Sequence, residues 1–182
     1  MSTWASAPDL PDDFDNTQVS AGRLSDPERL VARLAELGWT VGVAESLTGG
    51  LVVSSIVSVS GSSAVLRGGI VAYATDLKAR LLGVDDTLLA AHGPVHPRVA
   101  RQMAEGVRRT VAAADGTAAD VGIATTGIAG PLSPDGQPVG TVHLAVSTPL
   151  GSRVESLELG GARADIRSEA AAHAIRLALD AL

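Results

Sequence analysis

A serine at an abrupt break in an apolar run and a solitary lysine are the residues of this chain best suited to chemistry. In "TVGVAESLTGG", Thr40 to Gly50, a buried-type stretch gives way to Glu45, Ser46, Thr48, Gly49 and Gly50. A hydroxyl at the mouth of a helix, beside bare amides and the positive end of the dipole, can attack a carbonyl or meet a phosphate. The same residues also suit a plain capped helix, with Ser46 or Thr48 satisfying orphan amides and the glycines allowing close packing. The loop is not a Walker loop, because the spaced Gly-Lys-Ser/Thr is missing. Of the 14 basic residues, Lys78 is the sole lysine. Lysine can give up a proton and arginine does not, so in a dry site beside a serine Lys78 would act as a base. In isolation, within "TDLKARLL", a solvated charge is the better reading of it.

A second loop, "TTGIAGP" from Thr125 to Pro131, repeats the pattern of Thr and Gly just past a buried run. Bare amides there can approach a ligand closely. Arg163 and Arg167, in "GGARADIRSEA", begin the last helix, where the dipole favours anions over cations. They read either as surface charge offset by Asp165 and Glu169 or as a phosphate clamp. The four histidines are scattered without metal-ligand spacing, so a metal-dependent mechanism is disfavoured. No G-x-S-x-G elbow surrounds Ser46.

Positioning both loops at one edge requires parallel strands that end side by side, since ligands of open sheets bind beyond the carboxyl ends of the strands. The sequence supplies them. Ser25 with Glu28 opens a helix that stops at Gly38. Thr40–Ala44 reads as a strand buried on both faces, with a helix following from Gly49. "VLRGGIVAYA" reads as a second strand, "TDLKARLLG" as a short helix capped by Thr75, and "DDTLLAAHG" as another. "HPRVARQMAEGVRRTVAAAD" is a long helix with Pro97 in its first turn. "ADVGIATTG" is a third strand, "PVGTVHLAVST" and "SRVESLEL" form an antiparallel hairpin, and a helix closes the chain. The expected fold is a three-layer α/β/α sandwich with a mixed, mostly parallel sheet.

Composition narrows the classes. The 182 residues suit a single domain, placed at 25–182, behind a disordered tail over 1–24 rich in Asp, Pro and Ser. A net charge of -6 argues against nucleic acid or an anionic membrane as partner. There is no cysteine, which removes disulfides and thiol chemistry. No apolar stretch reaches the length of a membrane span and no secretory leader opens the chain, so a cytoplasmic location is expected.

The segments "VAESLTGG", "VSGSSAVLRGGIVAYATDLKARLLGV", "ATTGIAGP", "QPVGTVHLAV" and "GARADIR" occur in the order and approximate spacing of the CinA carboxyl-terminal domain family. From Ser25 to Leu182 the chain resembles that family, which includes the nicotinamide mononucleotide amidases, also called PncC. The resemblance implies a CinA-like fold, no cofactor, and hydrolysis of nicotinamide mononucleotide to nicotinic acid mononucleotide and ammonia in pyridine-nucleotide recycling. It implies Ser46 as nucleophile, Lys78 as base and Tyr73 beside them, with the Lys78 base acting directly or through Tyr73. Substrate contacts would come from Glu45, Thr48, Gly49, Gly50, Thr126, Gly127 and Gly130, with Arg163 at the phosphate. The family also leans toward homo-oligomers. Larger members carry a further amino-terminal domain, for which this chain is too short.

Three positions depart from the family's pattern: Leu47 stands for a common Cys, His96 for a common Ser cap, and Gln137 for the Lys of "KPVG". A non-catalytic nucleotide-binding paralogue of the same fold is the alternative reading. A structural partner in competence or damage responses has only the family name behind it.

Overall fold

The computed structural model describes residues 24–133 and 136–182, so the tail expected over 1–24 lies, Leu24 apart, outside the described residues. Its frame is a five-stranded sheet in the order β2-β1-β3-β4-β5. The strands are β1 (Val41–Glu45), β2 (Leu66–Val71), β3 (Val121–Gly127), β4 (Thr141–Thr148) and β5 (Gly151–Glu158). β1 pairs in parallel with β2 and β3, and β4 pairs antiparallel with β3 and β5. Four strands therefore run one way and β4 alone runs back, which makes the sheet mixed and mostly parallel as expected.

The helices are α1 (Asp26–Leu37), α2 (Leu51–Val57), α3 (Thr75–Leu82), α4 (Asp86–His92), α5 (Pro97–Thr110) and α6 (Arg163–Leu179). The capping pattern before α1 forms, with the Glu28 carboxylate accepting from the Ser25 amide at 2.7 Å and its hydroxyl at 2.6 Å. Gly38 ends that helix in the left-handed region at φ 64°. One cap differs from expectation: Thr75 is the first residue inside α3 and Ala74 holds the cap position.

The sheet separates two cores with different side-chain sizes. On one face Val41, Val43, Val121, Ile123, Val142, Leu144 and Val146 pack with α1, α2 and α6. On the other, Ala44, Ala124 and Ala145 meet α3, α4 and α5. The alternation of bulky and small residues along each strand is the period of two that sends successive side chains to opposite faces. Two strand glycines bring α5 closer still. A Cβ on Gly122 would overlap the Ala104 carbonyl, and one on Gly42 would stand 2.6 Å from Val111 Cγ2.

This topology brings the chemistry to one edge. The carboxyl ends of β1, β2 and β3 lie together there, and β5 runs in the same direction, so the chain leaving it delivers the start of α6 to that edge too.

Gly122→Ala should destabilise the fold by about 1–3 kcal/mol, because a backbone carbonyl cannot yield as a side chain can. Gly42→Ala meets a trimmable neighbour, so Val111→Ala should relieve part of its cost in a double-mutant cycle followed by urea unfolding. Equal, additive losses would show that α5 does not seat as described.

Candidate active site

The turn that carries Ser46 is shaped by Glu45, the last residue of β1. Its carboxylate is wholly buried and accepts from the amides of Gly50 (2.8 Å), Val52 (3.2 Å) and Val53 (2.9 Å). These are orphan donors of the first turn of α2, where a negative charge also complements the helix dipole. Gly49 (φ 61°) and Gly50 (φ 104°) take the left-handed conformations that let the chain double back from strand to helix. Glu45 therefore organises the turn from inside and does not face the cleft, contrary to the substrate contact expected of it. Gly49 and Gly50 likewise shape the turn outside the cleft lining.

Ser46 emerges at the foot of a cleft of about 290 Å³, lined by residues that include Leu47, Tyr73, Thr75, Lys78, Thr126 and Arg163. The register of β1 on β2 pairs Glu45 with Val71, so the residues just past each strand end side by side. α3 then returns Lys78 to that point. Its Nζ donates to Ser46 Oγ at 3.0 Å and to the Ala72 carbonyl at 2.7 Å. The side chain is only 1% exposed, making Lys78 the largest of the fully buried side chains, and Ser46 is buried beside it. A solvated role for Lys78 is thereby excluded.

The second loop forms the facing wall with Thr126, Gly127 and Gly130. Thr125 ties the loops together: its hydroxyl lies 2.8 Å from that of Thr48 and accepts from the Ser46 amide at 3.4 Å. Thr48 is completely buried in this link and lines no part of the cleft, which corrects its expected substrate contact. Thr126 does line the cleft, but its hydroxyl donates to the Pro94 carbonyl at 2.8 Å. Gln137 donates to the neighbouring Val95 carbonyl at 2.7 Å, so the residue that departs from the family pattern here fastens the 94–95 segment.

Tyr73 and Arg163 stand together on the exposed rim. Arg163 donates to the Gly130 carbonyl at 2.6 Å and to the Tyr73 hydroxyl at 3.1 Å. Lys78 reaches Ser46 directly, whereas the Tyr73 hydroxyl meets Arg163. Among the described residues the cleft lining contains two basic side chains, Lys78 and Arg163, and no carboxylate, in contrast to the chain's net charge of -6. Sequence reasoning missed Thr75, Pro94, Val95 and Leu132 among the lining residues. Only Thr75, beside Lys78 in the motif, carried a signal.

His96 caps α5, its Nδ1 accepting from the Arg98 amide at 3.2 Å, and its ring stacks on His92 with centroids 4.7 Å apart. Burial, then the neighbouring His92 and Arg98, hold its pKa below the ordinary 6.5. His143, 2.8 Å from Ser156 Oγ, is also held low, by burial first and then by His96, against an opposing pull from Glu158. Among the described residues no group of three or more His, Asp or Glu is arranged to hold a metal. No helix there is long and apolar enough to cross a membrane.

Comparison with known proteins agrees with this fold. The chain matches the CinA C-terminal domain over residues 25–182. It is 50% identical over 166 residues to a "CinA-like protein" of Anaeromyxobacter dehalogenans (strain 2CP-C), covering 90% of this chain and 39% of that protein. It is 41% identical over 145 residues to a "Putative competence-damage inducible protein" of Desulforamulus reducens, covering 80% of this chain and 34% of that one. The chain thus spans between a third and two fifths of the length of these curated relatives. Among solved structures it is similar to the competence/damage inducible protein CihA from Agrobacterium tumefaciens, with TM-score 0.74, 34% identity, and 88% and 99% of the two chains covered. It is also similar to a CinA superfamily protein from Escherichia coli, with TM-score 0.78, 28% identity, and 90% and 96% covered. The chain belongs to the CinA C-terminal domain family.

Two measurements check the local account. Glu45→Gln places an amide donor where only acceptors fit, and should cost about 1–3 kcal/mol in urea unfolding; a cost near zero would remove Glu45 as organiser of the turn. For His96, the folded chain binds the proton less readily than the unfolded chain. Its contribution is therefore complete above the ordinary 6.5 and is lost as pH falls through the lower folded value. Replacing it with another cap, His96→Ser, should reduce the stability difference between about pH 7.5 and about pH 5. An unchanged difference would remove His96 from the pH response.

Proposed function

We propose that this chain is a nicotinamide-nucleotide amidase, releasing ammonia from nicotinamide mononucleotide by a Ser-Lys mechanism. The observation that carries the reading is the direct, buried contact between Lys78 Nζ and Ser46 Oγ at the foot of an open cleft. Burial penalises the ammonium form of a lysine. A neutral amine can keep its bond to the Ala72 carbonyl while its lone pair receives the serine proton.

Ser46 Oγ forms a bond to the carboxamide carbon as its proton passes to Lys78. The Ser46, Gly49 and Gly50 amides are engaged by Thr125, the Ser46 carbonyl and Glu45. That of Leu47, a residue of the cleft lining, then serves the oxyanion. Collapse breaks the carbon–nitrogen bond, with Lys78 returning the proton to the leaving nitrogen. Water next attacks the acyl-serine, Lys78 takes its proton and passes it to Ser46, and the acid departs. The ligand's pyridinium draws electrons from the carboxamide and eases the first attack.

Recognition rests on charge and size. A mononucleotide carries an anionic phosphate, and Arg163 on the rim offers a guanidinium that can pair with it bidentately. The cleft volume of about 290 Å³ stands at the lower limit of small-ligand pockets, roughly 300–1,000 Å³, which suits a mononucleotide better than a macromolecule.

Purified protein should release ammonia from nicotinamide mononucleotide in the presence of a chelator. Ser46→Ala should lower kcat by roughly 10³-fold or more. Lys78→Arg should be nearly as damaging as Lys78→Ala, within about tenfold, because arginine stays protonated. Binding of the nucleotide without release by the folded wild type would sink the amidase reading in favour of a non-catalytic paralogue. Near-normal turnover in Lys78→Arg would take the base role from lysine.

A further inference from the structure

Arg167 lies one helical turn beyond Arg163 and does something different. Its guanidinium reaches across from α6 to the Ser46 turn, donating from Nε to the Leu47 carbonyl at 2.9 Å and from Nη2 to the Thr48 carbonyl at 2.8 Å. These are two successive carbonyls, met by the two parallel donors on one edge of the planar fork. The side chain is half-buried, whereas that of Arg163 is exposed.

We infer that Arg167 is a positioning residue for the nucleophile: it fixes the peptide planes of the Ser46 turn so that the hydroxyl and the Leu47 amide beside it face the cleft. The inference rests on the amidase reading for its catalytic consequence, though not for its geometry. In a trans peptide the carbonyl and the following N–H point in opposite directions. Drawing the Thr48 carbonyl toward α6 therefore sets the Gly49 amide, which donates to the Ser46 carbonyl at 3.2 Å, and that carbonyl shares its peptide plane with the Leu47 amide; the bond to the Leu47 carbonyl fixes the plane between them.

Two further observations support the assignment. A Cβ on Gly49 would stand 3.2 Å from Arg167 Nη2, so the glycine leaves the space the guanidinium occupies. From inside the fold, Glu45 takes the amides of Gly50, Val52 and Val53, while Arg167 takes the carbonyls of Leu47 and Thr48. The turn is thus held through its donors by an anion and through its acceptors by a cation. Lysine is a point charge without the fork and cannot hold two peptide planes in this way.

The test compares Arg167→Ala and Arg167→Lys with wild type in the full chain, reading amide hydrogen exchange of the turn and the kinetics of ammonia release. In Arg167→Ala, exchange at the bonded amides of Gly49 and Gly50 should rise by roughly tenfold or more while β4 keeps its protection. kcat should fall about 10²-fold with KM within about threefold of wild type. Arg167→Lys should recover less than about a tenth of the lost kcat, and millimolar guanidinium should restore activity to Arg167→Ala but not to Ser46→Ala.

Unchanged exchange in the turn would overturn the inference. So would a loss confined to KM, which would put Arg167 on the ligand, or wild-type kcat in Arg167→Lys, which would show that charge alone suffices. If wild type releases no ammonia, the amidase reading fails while faster exchange in Arg167→Ala still sustains the assignment of Arg167 to the turn.

Discussion

A fully buried carboxylate held by backbone amides is the constraint on which this site is built. Glu45 ends the central strand and its two oxygens are taken by three backbone amides of the next helix. Charge-assisted bonds of this kind contribute roughly 1.5–3 kcal/mol each, and leaving such a charge unmet would cost more. Any other path for the chain between β1 and α2 would strand that charge, so the turn has one conformation. Ser46, the first residue of that turn, inherits it.

The same economy appears where the loops meet. Thr48 and Thr125 spend their hydroxyls on each other, while the Thr126 hydroxyl and the Gln137 side-chain amide donate to the segment before α5. Polar groups clustered at strand ends in this fold are mostly used to hold loops to loops. What remains facing the cleft is a short set: the Ser46–Lys78 pair, the glycine-rich wall, and the Tyr73–Arg163 pair at the rim.

The layered fold was legible because each element carries its own period and punctuation: Glu28 at the start of α1, Gly38 at its stop, alternating sizes in β4. The meeting of Ser46 with Lys78 was not, since it depends on the pairing of Glu45 with Val71, a register between strands whose residues lie 26 positions apart. A sequence displays hydroxyls and amides as capacity and does not say where that capacity is used, which is why Thr48 and Glu45 read as ligand contacts. Arg163 and Arg167 looked alike for a related reason. Four residues advance a helix by about 6 Å, enough to send one guanidinium to the rim and the other to a different loop. Thr75 is a simpler case: a threonine at a helix start resembles a cap, and the true boundary lies one residue earlier.

The uneven thickness of the two cores has a consequence for how such a chain can change over evolutionary time. On the face that meets α1, α2 and α6, branched aliphatic side chains interdigitate, and volume lost at one position can be regained at another. On the α5 face the separation between layers is set by backbone atoms resting on backbone atoms, where Gly122 admits no carbon at all. Substitutions can be exchanged among neighbours on the first face, but at Gly122 on the second there is no side chain to trim in exchange. Drift in this domain is therefore lopsided, with the first face free to reassort its residues while the positions of β1 and β3 beneath α5, Gly42, Ala44, Gly122 and Ala124, stay with the two smallest amino acids.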